Sequence, residues 1–355
     1  MYPLFFYPIH KERIWGGKKL AEKYHRVLPG DRIGESWEIA CHNHGMGIVK
    51  NGRLKGLTLQ EVIEKYGEDL LGSALYTENY RRFPLLIKIL DASDVLSVQV
   101  HPNDEYANLH ENGELGKTEM WYIVDAKPGA KLVYGVKKGV SKETFRTKLE
   151  EGRLESCLEE IEVKPGDVLF IPAGLVHAIG KDILICEIQQ NSDTTYRVYD
   201  WNRVDDKGCK RELHIDKALD VINFSPSAER GSLPGLAVEE EGGRRIIYVA
   251  CNYFAMEELN ISGIMELSMD GRRFQTLTCI KGHGIIHYGE EHEELPAGTS
   301  CLIPAQLSRI HIEGSCTVIR SYVPDKEENI IRPLLSRGYT MEQLENIAGL
   351  MDNNI

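Results

Sequence analysis

Short apolar runs separated by turn residues dominate this chain. Val-, Ile- and Tyr-rich runs of about five to eight residues recur at 84–90, 95–101, 119–124, 130–136, 167–172, 183–189, 244–250, 274–280, 300–304 and 316–323. Most are bounded by Gly, Pro or Asp, and runs of this kind predict strands. Within 95–101 the alternation is strict: Leu96, Val98 and Val100 take one face, and Ser97, Gln99 and His101 take the other, because strand side chains alternate with period two. Helix signals are fewer. Thr58-Leu-Gln-Glu61 is a capping box that predicts a helix to about Leu71. Ser141 is placed to cap a second helix through Glu151, and Thr340-Met-Glu-Gln343 opens a short C-terminal one.

The pattern repeats. Gly166-Asp-Val-Leu-Phe-Ile-Pro172-Ala-Gly174-Leu-Val-His177 aligns with Gly298-Thr-Ser-Cys-Leu-Ile-Pro304-Ala-Gln306-Leu-Ser-Arg309. Glycine and proline keep the same spacing, which predicts two copies of one β-barrel unit. The turn-rich segment 225–235 is the candidate linker. It divides the chain into an N-terminal domain, 1–230, with helical segments at about 58–71 and 141–151, and a second barrel with a C-terminal helix, 236–355. The second copy has Arg309 where the first has His177, so a metal site is expected only in the first.

Composition narrows the class. A length of 355 residues suits roughly two domains. Hydrophobic residues make up 42% and charged residues 27%, a soluble globular balance that argues against disorder. The formal net charge of −12 speaks against a general nucleic-acid or anionic-membrane binder. It leaves room for an anionic small molecule held by a few local cations. No stretch approaches the ~18 apolar residues of a spanning helix. The start, with Pro3 and Pro8 and no basic region before its apolar residues, does not read as a secretory signal. The 8 cysteines form no CxxC pair, so buried reduced thiols and a cytoplasmic location are expected.

Candidate chemistry lies in the first copy. Gln99 and His101 share one strand face, Glu119 and Trp121 share another, and His177 follows a turn held by Pro172 and Gly174. In a barrel one strand face is the lumen. Two imidazoles, a carboxylate and a carboxamide there suit a divalent ion such as Zn²⁺ at ~2.0–2.2 Å, with room for water or substrate. His42 and His44, in Cys41-His-Asn-His-Gly45, read as a solvated loop because no third ligand is spaced nearby. Lys117 precedes Glu119 by two residues and shares its face. Arg197 follows a polar stretch, and a fixed guanidinium near a metal suits a phosphate or a developing oxyanion. Glu187 interrupts Ile183-Leu-Ile-Cys-Glu-Ile188; a carboxylate in so apolar a strand is either paired or functional.

The G-x5-P-x-G-x2-H element resembles the second motif of the cupin superfamily. With Gln99-Val-His101-Pro102, Lys117-Thr-Glu119-Met-Trp121 and the tract through Arg197, the chain resembles the type I mannose-6-phosphate isomerases, in the compact form common among Gram-positive bacteria. Trp15-Gly-Gly17 and Gly34-Glu-Ser-Trp-Glu38 also match, and the likeness covers nearly the whole chain. It implies a mainly β double cupin: two jelly-roll β-barrels with a few short helices. It implies one zinc per chain on His101, Glu119 and His177, with Gln99 a ligand in related members, and a catalytic role for Arg197. Ser97 and Lys88 match positions associated with substrate phosphate in longer relatives. The large helical insertion of those relatives is missing here, so its substrate-shaping contacts are not carried over.

The implied reaction interconverts mannose 6-phosphate and fructose 6-phosphate through a cis-enediol. Lys117 would assist charge or proton movement. Glu187 is the candidate base, with a metal-bound hydroxide as its rival. The expected partner is a sugar phosphate, with no nucleic acid or membrane, and the chain is expected to be a monomer. Three other readings stay open: a non-catalytic sugar-phosphate-binding or regulatory cupin, a different metal-cupin enzyme such as an iron oxygenase, and a purely structural double barrel.

Overall fold

The computed structural model describes residues 1–76, 82–204, 207–225 and 231–352, so residues 226–230 of the candidate linker lie outside the described residues. The chain forms two compact units, each drawn from separated segments. One comprises Met1–Ile9, Trp37–Lys88 and Leu233–Ile355; the other comprises His10–Ser36 and Ile89–Ser232.

The second of these units holds the first copy of the repeat and is called the first barrel here. It contains a five-stranded sheet and most of a six-stranded one, whose strands at Ile9–Gly17, Ile33–Ile39 and Leu85–Ala92 cross the boundary between the units. The six-stranded sheet runs in the order Val168–Ile171, Glu119–Ala126, Ile183–Gln190, Leu85–Ala92, Ile9–Gly17, Ile33–Ile39. The five-stranded sheet runs Leu158–Glu162, Lys131–Val136, His177–Ala178, Val98–Val100, Tyr196–Tyr199. Trp121, Ile123, Leu169 and Ile185 of one sheet share a core with Leu132 and Tyr134 of the other, as expected of a sandwich whose inward positions alternate. The opposite face of the five-stranded sheet, through Val98, Val100 and Val133, packs on Phe145 of helix Lys142–Glu150 and Leu219 of helix Ile215–Val221. Tight approach between strands explains the early glycines: a Cβ at Gly16 would lie 2.5 Å from the Arg32 carbonyl oxygen.

The other unit, the second barrel, holds a nine-stranded sheet. Its centre is Gly243–Ala250, Ala255–Ser268, Arg309–Tyr322, Gln275–Tyr288 and Thr299–Ile303, in that order. Residues 1–9 and 37–88 group with this unit, unlike the contiguous 1–230 and 236–355 division expected from the sequence. Strand pairing is the reason. Leu4–Tyr7 adds to Thr299–Ile303 with Leu4 opposite Leu302 and Phe5 opposite Cys301, and Phe5 enters the core beside Leu277 and Val318.

The repeat is visible as matching structure. Gly166 and Gly298 both have positive φ, 92° and 79°, and each donates its backbone N–H to the neighbouring strand, to Ile123 and Cys279. Most expected strands form, with two kinds of difference. Residues 95–101 yield only Val98–Val100, because the Trp201 indole and the Arg203 guanidinium take the carbonyls of Leu96 and Val95 that a longer strand would use. The runs 274–280 and 316–323 instead form parts of 14-residue strands, Gln275–Tyr288 and Arg309–Tyr322, apart from one end residue each. These continue through a bulge and through glycines that break the apolar pattern.

The helices expected at 58–71 and 141–151 form as Leu59–Leu71 and Lys142–Glu150, capped by Thr58 and Ser141. Thr58 and Glu61 make the reciprocal capping box. Thr58→Ala is expected to cost about 1 kcal/mol, read as a lower denaturant midpoint at unchanged slope. Four α-helices among the described residues lie outside those expected: Lys19–Tyr24, Asp104–His110, Ile215–Val221 and Arg332–Ser336. Asn103 capping the second, with Asp104 and Glu105 in its first turn, is the sequence signal that marks it. No helix among the described residues is long and apolar enough to cross a membrane. None of the eight cysteines forms a disulfide among the described residues, and only Cys209 is exposed.

Candidate metal centre

Four backbone devices bring the candidate ligands together. Pro172-Ala-Gly174-Leu175 closes a turn, with the Leu175 N–H donating to the Pro172 carbonyl at 3.1 Å and Gly174 at φ 87°. Positive φ at the third position is the type II turn requirement, which glycine meets without strain. The turn delivers His177 into a strand directly opposite Gln99. Arg197 lies opposite Gln99 on its other side. From the facing sheet, Glu119 pairs with Ile171 and Gln189.

The result is a buried cluster. His101, Glu119 and His177 each offer a ligand atom, and these atoms lie within 4.8 Å of one another. His177 and Glu119 are fully buried, and His101 and Lys117 nearly so. Each imidazole is oriented by a backbone carbonyl: His101 Nδ1 donates to Thr194 O at 2.8 Å, and His177 Nδ1 to Leu175 O at 2.9 Å. That tautomer leaves both Nε2 lone pairs facing the cluster, the arrangement that carbonyl partners give metal-binding histidines. Glu119 Oε1 lies 3.4 Å from His177 Nε2, and Oε2 lies 3.7 Å from His101 Nε2. Neither carboxylate oxygen accepts a hydrogen bond among the described residues.

The electrostatics keep the ligands in their binding forms. Burial lowers the pKa of His177 to about 3 and lowers that of His101, with the Lys117 ammonium adding to the effect. Both rings are therefore neutral at physiological pH. Burial disfavours ionised Glu119, but the Lys117 ammonium beside it outweighs that and holds the carboxyl well below its usual range. Lys117 Nζ stands 3.0 Å from Glu119 Oε2 and 3.2 Å from His101 Nε2. The converging lone pairs thus already draw a cation. A buried carboxylate without hydrogen bonds and two neutral imidazoles with matched Nε2 atoms fit a divalent metal.

The other expected site residues have the following partners. The Gln99 carboxamide nitrogen is 3.2 Å from His177 Nε2. Arg197 Nε donates to Ser97 Oγ at 3.3 Å, and its Nη1 donates to Glu212 O at 2.9 Å. Among the described residues no carboxylate ion-pairs with Arg197, while neighbouring Asp200 is taken by Arg203 and Arg211 at 2.6 and 2.5 Å. Burial, then repulsion from Arg211, lowers the Arg197 pKa, but a guanidinium remains charged at neutral pH. Glu187 Oε2 accepts the Trp121 indole N–H at 2.9 Å, and that indole stands edge-on to His177 with ring centres 5.3 Å apart. Lys88 belongs to the segment grouped with the second barrel, where its ammonium lies 5.2 Å from the centre of the Trp37 ring. His42 and His44 sit in a short hairpin, 4.9 Å apart by ring centres. The carbonyls of Thr194 and Leu175, which aim the imidazoles, left no trace in the residue pattern, since every residue carries one.

Comparison with known proteins agrees with this reading of the fold. A family model described as phosphomannose isomerase type I, catalytic domain, matches residues 4–147, and one described as mannose-6-phosphate isomerase, cupin domain, matches residues 245–323. The mannose-6-phosphate isomerase ManA of Bacillus subtilis is 44% identical over 321 residues, spanning 90% of this chain and 99% of that protein. The mannose-6-phosphate isomerase of Streptococcus mutans is 38% identical over 320 residues, spanning 90% of this chain and 98% of its own length. The crystal structure of the mannose 6-phosphate isomerase from Bacillus subtilis superposes with a TM-score of 0.84 at 38% identity, over 90% of this chain and 99% of that one. With its mainly β cupin architecture and this degree of likeness along its length, the chain belongs to the type I phosphomannose isomerase family and is an isomerase.

Proposed function

We propose that this chain interconverts mannose 6-phosphate and fructose 6-phosphate through a cis-enediol, using one zinc ion held by His101, Glu119 and His177 with Gln99 as a fourth group. The observation that carries the reading is the convergence of two neutral Nε2 atoms on a buried carboxylate that accepts no hydrogen bond among the described residues and has the Lys117 ammonium at 3.0 Å. Sulfur ligands are absent from the set, and imidazole with carboxylate suits zinc. When bound, the metal supplies Lewis-acid polarisation of the sugar C1 and C2 oxygens.

The chain's own residues do the rest. Moving a proton between C2 and C1 builds negative charge on O1 and O2. Among the described residues the Arg197 guanidinium has no carboxylate partner; it is held in place by Ser97 and the Glu212 carbonyl, so its charge is available to a developing enediolate. Lys117 balances Glu119 and gives the centre a mobile proton. Glu187 shares the strand face of Glu119 and Trp121 and is the proposed base. Its carboxylate also holds the Trp121 indole, which packs against His177. Ser97, and on the resemblance Lys88, are proposed for the phosphate.

A coupled assay for fructose 6-phosphate formation from mannose 6-phosphate tests the proposal, run on protein as purified, after chelation and after zinc is restored. Activity is expected to vanish with chelator and return with zinc. A folded, zinc-loaded protein without activity would refute the isomerisation. Restoration by iron and not by zinc would refute the choice of metal.

A further inference from the structure

The second barrel repeats the first barrel's plan with different chemistry at the corresponding end. Ile171 and Ile303 hold the same place in the sequence repeat. Glu119 faces Ile171 in the first barrel, and Gln275 faces Ile303 in the second. One strand further, Trp121 faces Glu187 in the first barrel, and Leu277 faces Arg320 in the second. The metal carboxylate is thus answered by an amide, and the proposed base by a guanidinium. Negative groups that draw a cation are replaced by groups that donate hydrogen bonds.

These donors open onto a cavity. Inward positions run from Cys279, Val318 and Leu259 in the apolar core to Gln275, Arg320 and Glu257 at one end. There lies a cavity of about 540 Å³, within the ~300–1,000 Å³ of small-molecule sites. Arg245, Arg273 and Arg320 line it together with Gln275.

Two of these guanidiniums are fixed by structural partners. Arg320 Nε donates to Gln275 Oε1 at 2.9 Å, and its Nη1 meets Glu257 at 3.0 Å. Arg245 pairs with Glu240 at 3.0 Å and Glu257 at 3.5 Å. Arg273 is different. It is only 9% exposed, its Nη1 makes one long hydrogen bond, to Asp270 Oδ2 at 3.5 Å, its Nη2 lies 3.8 Å from Asp325 Oδ2, and its buried Nε has no hydrogen-bond partner among the described residues, as is also true of Arg245 Nε. A buried guanidinium left this loosely paired is costly unless a ligand completes it.

We infer that this cavity is a second small-molecule site, for a hydroxylated phosphate ester of sugar-phosphate size. Planar guanidiniums match phosphate oxygens two at a time. The rim carboxylates Glu241 and Asp270 are placed to accept hydroxyl groups, and Met265, Leu267 and Met269 offer apolar surface to the C–H face of a sugar. Inorganic phosphate alone would leave most of the volume unfilled. The inference does not depend on the metal centre or on the isomerase chemistry.

Met265 and Met269 line the cavity and report on it directly. The probe is glucose 6-phosphate, titrated into full-length, metal-loaded protein carrying ¹³C-methyl methionine. Both methyl signals are expected to shift and saturate. Arg273→Leu is expected to weaken that binding at least about tenfold, the scale of one charge-assisted contact, with basal isomerase kcat/KM and melting temperature essentially unchanged. Arg273→Lys, which keeps the charge but loses the fork, falls between. Three results would overturn the inference: no shift of either methyl up to about 10 mM probe, equal affinity for inorganic phosphate, or unchanged affinity in a folded Arg273→Leu protein.

Discussion

His101→Ala is expected to lose the bound metal and at least about a thousandfold of isomerase turnover, since even partners behind a ligand are worth ~10–100-fold in metal affinity or activity. His101 has a partner on each of its ring nitrogens. Its Nδ1 holds the Thr194 carbonyl, and its Nε2 meets Lys117 at 3.2 Å. Without the ring, the Thr194 carbonyl loses its donor and Lys117 keeps, among the described residues, only Glu119 as a close side-chain partner. Metal content by elemental analysis, the melting temperature and the coupled assay are to be read on the same preparation. A folded variant with neither metal nor activity is the expected result. Full activity in a folded, verified metal-free His101→Ala protein would remove the metal from the reaction.

Arg197→Ala is expected to retain the metal while turnover falls at least about a hundredfold, the usual loss when one charge-stabilising donor is removed. The two variants are expected to separate because Arg197 touches Ser97 and the Glu212 carbonyl and none of the three clustered ligand groups. The loss should appear mainly in kcat if the guanidinium stabilises the enediolate, and mainly in KM if it only holds substrate. Arg197→Lys should recover part of it, because charge returns without the planar fork. Wild-type turnover in Arg197→Ala would take the residue out of the mechanism. Loss of metal in that variant would make its role structural.

Much of the centre was legible because local order carries chemistry. Strand alternation put Gln99 and His101 on one face, and Pro172 with Gly174 announced a turn ahead of His177. The capping boxes at Thr58 and Thr340 were equally local, and both form. Less legible were features in which distant segments compete for the same groups. Nothing near Val95 and Leu96 announces that Trp201 and Arg203 will take their carbonyls and end the strand. Nothing in Leu4-Phe5-Phe6-Tyr7 says that its partner is Thr299–Ile303, some three hundred residues later.

By itself, then, the sequence determined the strand-rich class, the repeat, the ligand types and their spacing. Each of these depends on residues a few positions apart, where the period of the backbone decides which side chains share a face. Tertiary structure alone decided which strands pair and how the chain divides into units. It also decided which carbonyls orient the two imidazoles, and that Gln275 and Arg320 stand where Glu119 and Glu187 stand in the first barrel. Pairing and register follow from burying an apolar face across the whole sheet, a global condition that no short window of residues contains.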